Sequence, residues 1–272
     1  MPYIRSQMKE IAVCIVLICM TGHLSAQEKD TIPPQVYHVN YKVDLPVTAA
    51  ATATALWGLS IVTSKTPLDS MTIIQLDAND VNRFDRSATW QDAGFAPTAR
   101  TISDVTMGIS QAMPFFLFLD REIRKEWGGV LTLIFQTQAI TGNLYSWGGA
   151  VHVDRIRPMA YNEDVAWEKK TEARNKNAFY SGHTSMSASA CFFSAKVFCD
   201  FHPELGNKKY LVYTLAAAPA VTTGFLRYKG LKHFPTDVIT GLIVGAGVGI
   251  LIPQLHKRTG SNLTVVPFTG RV

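Results

Sequence analysis

The chain has 272 residues, enough for one sizeable domain, and only 17% of them are charged, against the roughly 25% usual in soluble proteins. That scarcity points toward lipid. The net charge of +5 is modest, and the basic residues gather at a few short motifs without interleaved aromatics, which excludes an extended nucleic-acid footprint.

Residues 1–26 read as a secretory signal. Arg5 and Lys9 precede an apolar run over 11–20, and Leu24-Ser-Ala-Gln offers a small residue at a cut after Ala26. The run is too short to span a bilayer comfortably, and the bulky Ile18 ahead of Cys19 argues against a lipoprotein anchor. A secreted or cell-envelope location follows. Residues 27–104 hold an exposed leader to residue 44, a first apolar window and a polar connection over 65–104, whose Asn82-Arg-Phe-Asp-Arg stretch fits a short interfacial helix. Residues 105–256 form the helical core and 257–272 a C-terminal tail.

Six windows free of Lys, Arg, Asp and Glu follow the signal, at 45–64, 105–119, 127–153, 177–195, 210–226 and 238–255. A bilayer crossing takes roughly 20 residues, so some windows qualify and others are short. Thr, Ser, Gln, Asn and Gly dilute them. Helices packed through small residues such as Gly241, Gly245 and Gly249 account for that dilution, as does a soluble bundle with a buried core. The reading adopted is an all-α bundle of about six core helices crossing a membrane, with a soluble periplasmic bundle as the alternative. Cys191 and Cys199 fall on one helix of this bundle, about 12 Å apart at ~1.5 Å per residue, too far to bridge.

Three motifs carry the chemistry. Val153-Asp-Arg-Ile-Arg-Pro supplies Arg155 and Arg157, with Pro158 expected to close off the preceding helix. Tyr180-Ser-Gly-His-Thr places His183 behind a small pair and ahead of the apolar run 186–198, which reads as a loop entering a helix. Such an entry points backbone N–H groups at a bound anion, and Gly182 removes the side chain that would block close approach. Leu226-Arg-Tyr-Lys-Gly-Leu-Lys-His-Phe-Pro-Thr-Asp then gathers Arg227, His233 and Asp237 within eleven positions. If a helix begins near Pro235, His233 and Asp237 share one face, and the carboxylate can take the imidazole Nδ1 proton. The other ring nitrogen is then left nucleophilic, and the planar guanidinium of Arg227 can hold two oxygens of a phosphoryl group under attack.

Each motif alone is weak. Together, beside long apolar segments, they would be costly as core residues unless they shared an anion or one another. A phosphate-type oxyanion site is therefore favoured over a purely structural network. The remaining histidines, His23, His38, His152, His202 and His256, have no metal-ligand spacing and read as surface or loop residues, so no metal is expected. His152 is the nearest of them to the motifs.

In this order the motifs resemble the type 2 phosphatidic acid phosphatase and vanadium haloperoxidase superfamily. Its pattern is Lys, six residues, Arg-Pro, then Pro-Ser-Gly-His, then Ser-Arg, five residues, His, three residues, Asp. The resemblance covers roughly residues 100–256. It implies that His233 is the nucleophile that becomes phosphohistidine, Asp237 its orienting partner and His183 the acid that protonates the leaving oxygen. Arg157, Arg227, Ser181 and the Gly182 backbone would bind the phosphate. Three positions depart from the pattern: the family lysine falls on Ala150, the motif proline on Tyr180 and the serine before the third arginine on Leu226. The first matters most, because a lost charge-assisted contact is worth roughly 1.5–3 kcal/mol. Arg155, Lys229 and Lys232 are the candidates to restore the charge.

Helix order brings the motifs to one end of the bundle, since the first follows the third window, the second opens the fourth, and the third joins the fifth to the sixth. With a cleaved signal and six crossings this end would face inward. Members of the superfamily acting on envelope lipids usually face outward, so the expected site is on the outer, periplasmic side, with the first or second window not crossing. The implied activity is hydrolysis of a lipid phosphomonoester or diphosphate without a cofactor, vanadate acting as an inhibitor. A soluble acid phosphatase acting on small phosphate esters, or a haloperoxidase holding vanadate as cofactor, is the alternative enzyme. A phosphate-binding or structural membrane protein without catalysis is the alternative from another class.

Overall fold

The computed structural model describes residues 35–172 and 174–258. The signal expected over 1–26, the first part of the leader and the tail beyond 258 lie outside the described residues. Six long helices carry the fold: α1 Tyr41–Thr63, α2 Ala96–Phe116, α3 Trp127–Tyr145, α4 Gly182–Phe201, α5 Lys209–Lys229 and α6 Pro235–His256. Each grows from one of the charge-free windows, but its ends are set by caps and prolines. Asn40 opens α1 by accepting from the Lys42 N–H at 3.2 Å, while Asp44 accepts from the Asn40 N–H at 2.7 Å. α2 starts with a proline in its first turn and so runs upstream of the short second window. Arg100 and Asp104, expected in a polar connection, lie inside this helix.

α4 is the central helix and packs on α2, α3, α5 and α6, whereas α1 packs on α3 and on the π-helical turn Ser146–Ala150 that follows it. The α4–α6 contact is made backbone to backbone. A Cβ on Gly241 would lie 2.6 Å from the Ser181 carbonyl oxygen and one on Gly249 2.5 Å from that of Ser189, with Gly245 tighter still against Ser185. Small residues on one face are what such an approach demands. The consequence is a fixed register between the starts of α4 and α6, where the second and third motifs sit. Farther from these starts, Phe193, Val197, Leu133, Val248 and Ile252 close the main apolar core.

α1, α2 with its continuation to Leu119, and α6 are long and apolar enough to cross a membrane, and only 17%, 22% and 33% of their most apolar windows are buried. Their apolar side chains face outward. The architecture is that of a multi-pass helical membrane protein, with the polar surface of Ser-rich α4 hidden at its centre.

Between α1 and α2 the chain forms short helices at Ser70–Ile74, Ala78–Asp80 and Arg86–Trp90. The interfacial helix expected around 82–86 does not form as one unit, because Asp85 turns inward. It is fully buried and accepts from the Thr236 N–H at 2.9 Å and the Thr236 hydroxyl at 2.7 Å. Pro158 also departs from expectation. It opens the short helix Pro158–Tyr161 at its first position instead of closing the helix before it, a place its fixed φ favours.

Candidate active site

The third motif is built around a reversal of the chain. α5 ends at Lys229, and Leu231 takes φ +57°, which lets the Lys232 N–H return to the Arg227 carbonyl at 3.1 Å. A bulky residue in the left-handed region costs roughly 1–2 kcal/mol, offset here by burial of Leu231 against Ala96 and Met159. The reversal delivers His233, buried at 2% exposure, to the base of α6.

The His233 Nδ1 lies 2.7 Å from the carbonyl oxygen of Ala178. A carbonyl only accepts, so Nδ1 carries the proton and Nε2 keeps its lone pair. This corrects the expected role of Asp237, whose nearer oxygen is 3.9 Å from Nδ1, beyond hydrogen-bond reach. Its two oxygens are taken elsewhere. One accepts from the Phe234 N–H at 2.8 Å, capping α6, and the other from Arg155. Burial, reinforced by Arg157 and Arg227, holds His233 well below the usual imidazole range, so it is neutral at physiological pH, as a nitrogen nucleophile must be.

Two buried guanidinium groups face the same region. Arg157 places Nε and one terminal nitrogen 3.4 and 3.3 Å from the Asn177 carbonyl oxygen. Arg227 reaches the Ser103 hydroxyl at 3.3 Å and Asp104 at 3.4 Å, and its buried Nε has no acceptor among the described residues. Burial, with a smaller push from Arg174 and Arg100, lowers the Arg157 pKa to about 10. Both cations are held by carbonyls and hydroxyls with little carboxylate to neutralise them, which is the electrostatic form of an oxyanion site.

The second motif enters α4 as expected. Ser181 is its N-cap, its Oγ accepting from the Thr184 hydroxyl at 2.7 Å, which leaves the serine proton free to donate. The Gly182 and His183 N–H groups fall in the first turn and have no intrahelical acceptor. A Cβ on Gly182 would lie 2.9 Å from the Tyr145 ring, so glycine is required there. The His183 Nε2 lies 3.0 Å from Asp104.

Arg155 does not join the phosphate group, contrary to expectation. It donates to Thr236 Oγ1 at 2.8 Å, to Asp237 and to Asp85 at 2.7 Å, and stacks 4.3 Å over the Phe234 ring. Two buried carboxylates already neutralise it. Of the other candidates for the charge missing at the fully buried Ala150, Lys229 is bound to the Gln91 side-chain oxygen at 2.8 Å. Lys232 shares its surroundings with both site arginines. Its ammonium meets the Met159 sulfur at 3.7 Å, and burial first, then Arg157, Arg100 and Arg227, lower its pKa to about 7.

Sequence reasoning missed Asp85, Asp104, Tyr145 and the Ala178 carbonyl. Asp104 alone left a trace, standing four residues after Arg100. A family model described as the PAP2 superfamily matches residues 126–261, half of the chain and all three motifs. No curated protein matches the chain. Among solved structures it is similar to the first transmembrane PAP2 type phosphatidylglycerolphosphate phosphatase from Bacillus subtilis, at 18% identity, covering 79% of this chain and 92% of that one, with a TM-score of 0.42.

Proposed function

The chain belongs to the PAP2 superfamily, and on that premise we propose that it hydrolyses a lipid phosphomonoester or diphosphate through a phosphohistidine on His233. One observation carries the reading. A neutral, buried imidazole with its Nδ1 pinned to a carbonyl lies in the field of two buried arginines.

In the first step the His233 Nε2 lone pair attacks phosphorus and the bond to the leaving oxygen breaks. His183 gives its proton to that oxygen. Burial first, then Arg227, lower its pKa to about 4, so the Asp104 carboxylate beside it and the bound phosphate dianion together have to offset that shift for the imidazolium to form before transfer. In the second step His183 takes a proton from water, the hydroxide oxygen bonds to phosphorus, and the P–N bond breaks to return His233 and inorganic phosphate. Arg157, Arg227, the Ser181 hydroxyl and the first N–H groups of α4 stabilise the equatorial oxygens of both transition states. Asp237 acts one layer out, fixing the N-terminus of α6 and the Arg155 guanidinium.

The membrane-facing helices support a lipid substrate. We place the site on the outer face. The first and second windows, one of which was expected not to cross, both form helices long and apolar enough to do so. If all six long helices cross, α1 runs from the far end at Tyr41 to the site end at Thr63, so an outward site needs Tyr41 on the inner face, which is incompatible with a signal cleaved on the outer side. Labelling of Thr66→Cys by an impermeant thiol reagent in intact cells tests this, and protection until lysis would reverse the orientation.

The activity itself is tested with the purified protein in detergent and a panel of lipid monophosphates and diphosphates, following phosphate release. Turnover that orthovanadate inhibits competitively is expected, since vanadate adopts the five-coordinate geometry of the transition state. Absence of release from every lipid, with no vanadate binding, would overturn the proposal.

A further inference from the structure

We propose that Arg100, Arg174 and Lys232, none of them at a fixed position of the family motifs, form a second anion subsite that holds a phosphate group adjacent to the scissile one. The proposal rests on the hydrolase reading and narrows its substrate to one carrying two neighbouring phosphates. Three elements converge to make the subsite. Arg100 reaches from α2 and donates from Nε to the Gly230 carbonyl at 2.8 Å, its stem lying against that glycine. Two residues on, Lys232 leans from the same reversal toward Met159, whose own N–H donates to the Leu231 carbonyl at 3.1 Å. Met159 is in turn two residues from Arg157. Arg174 stands on the segment that anchors Arg157, which donates from its N–H to the Asn175 carbonyl at 2.8 Å and from its guanidinium to the Asn177 carbonyl. The three cations therefore border the site arginines on the side of the α5–α6 reversal.

Charge balance decides what they hold. Arg100, Arg157, Arg174, Arg227 and Lys232 share one field, and the carboxylates nearest that field are Asp104, already beside His183, and Glu172, already 3.0 Å from Lys169. Asp237 belongs to Arg155. Even with both carboxylates counted in full, five cations leave about three positive charges, so a phosphate monoester at about −2 leaves the cluster positive, whereas a diphosphate ester at about −3 comes closer to neutralising it. The Lys232 ammonium, whose hydrogen-bond partner among the described residues is a thioether, is a cation left available for an oxyanion.

The groups facing Lys232 are Arg157, Arg100 and Arg227, which disfavour its charge, and Glu172, which favours it. Because its pKa is lowered to about 7, Lys232 is charged below that pH and neutral above it. Preference for a second phosphate is therefore strongest on the acid side and declines as pH rises through about 7.

The experiment is calorimetry of the detergent-solubilised protein with inorganic phosphate, methylenediphosphonate and an alkyl ester of methylenediphosphonate, from about pH 6 to about pH 9. Methylenediphosphonate should bind at least about tenfold more tightly than phosphate at the acid end. Lys232→Met and Arg174→Gln, the latter on an exposed side chain, should each lower that ratio at least about threefold. Lys232→Arg should keep the ratio and flatten its pH dependence. A tighter alkyl ester assigns the lipid-borne diphosphate and equal affinity the free one, and either supports the subsite. A parent protein with no preference, or variants that weaken both anions by the same factor, would overturn it. Preference without turnover of any ester would sink the hydrolase reading alone.

Discussion

The two ends of the bundle treat charge in opposite ways. At the end away from the motifs, Asp200 accepts from Lys196, from Lys257 at 2.6 Å and from the Tyr37 hydroxyl at 2.8 Å. His202 lies between Asp120 and Glu204, at 3.0 and 2.8 Å, and His256 is 3.3 Å from Asp44. Every lysine and histidine there meets a carboxylate, with Lys196 and Lys257 sharing Asp200, so the cluster ties the segment at Tyr37 to the ends of α4 and α6 and its carboxylates are already engaged. At the motif end Arg157 and Lys232 have a carbonyl and a sulfur, and Arg227 has a hydroxyl and one largely exposed carboxylate, Asp104, which it shares with His183. Unbalanced buried charge marks the site, and balanced buried charge marks a joint. Arg155 shows that proximity to a motif is not the criterion, since it belongs to the first motif yet is balanced by Asp85 and Asp237.

The comparison can be broken from either end. The largest effect is expected at His183, where His183→Ala should slow alkyl phosphates about 10²–10⁴-fold, the usual worth of a general acid, and aryl phosphates, with their better leaving groups, far less. Equal slowing of both would remove His183 from that role. Arg227→Lys keeps the charge and loses the planar fork, so kcat should fall about 10²–10³-fold, with steady-state kinetics as the check. Asp200→Asn should do the reverse. It leaves buried Lys196 without its carboxylate and should lower stability by about 3–5 kcal/mol, read by thermal unfolding in detergent, while kcat/KM of the folded enzyme stays within about twofold. A large kcat loss there would erase the distinction between the ends.

Asp85→Asn sharpens the boundary case. It unbalances Arg155 and loosens Thr236 at the first turn of α6, so stability should fall as for a broken buried pair and kcat should fall more than KM rises. Unchanged kinetics would make Asp85 a joint only. The smallest effect concerns pH. Protonation of His233 removes its lone pair, so kcat/KM is lost as pH falls through the free-enzyme pKa. With that pKa held well below 6.5, the acid limb should lie well below the ordinary imidazole range, and a limb centred at about 6.5 would contradict the buried environment.

Much of this was legible in the sequence for physical reasons. Charge-free windows became helices because a long apolar stretch has to bury or face lipid, and the glycines at 241, 245 and 249 met serine carbonyls because their spacing keeps one face bare. The three motifs met because helix order left no other arrangement. What escaped was set by partners with no local signal. Asp85 binds Thr236 across 151 positions, and the acceptor that orients His233 is a backbone carbonyl, which every residue has. The start of α2 escaped because a charge-free window stops at Arg100 and Asp104, whereas the helix stops at its proline. The resemblance separated Arg157, before its proline, from Arg155, but whether Arg155 also reached the phosphate could be read only from its two carboxylate partners.

The central claim, that phosphorus passes through His233, is tested most directly by trapping the enzyme during turnover. The parent protein, mixed with a lipid phosphate labelled in the phosphoryl group and quenched in alkali, where phosphohistidine survives, should carry label on His233 by peptide mass spectrometry, with the label lost in acid and absent from His233→Ala. Hydrolysis at full rate in His233→Ala, or label found on another residue of the parent, would contradict the account.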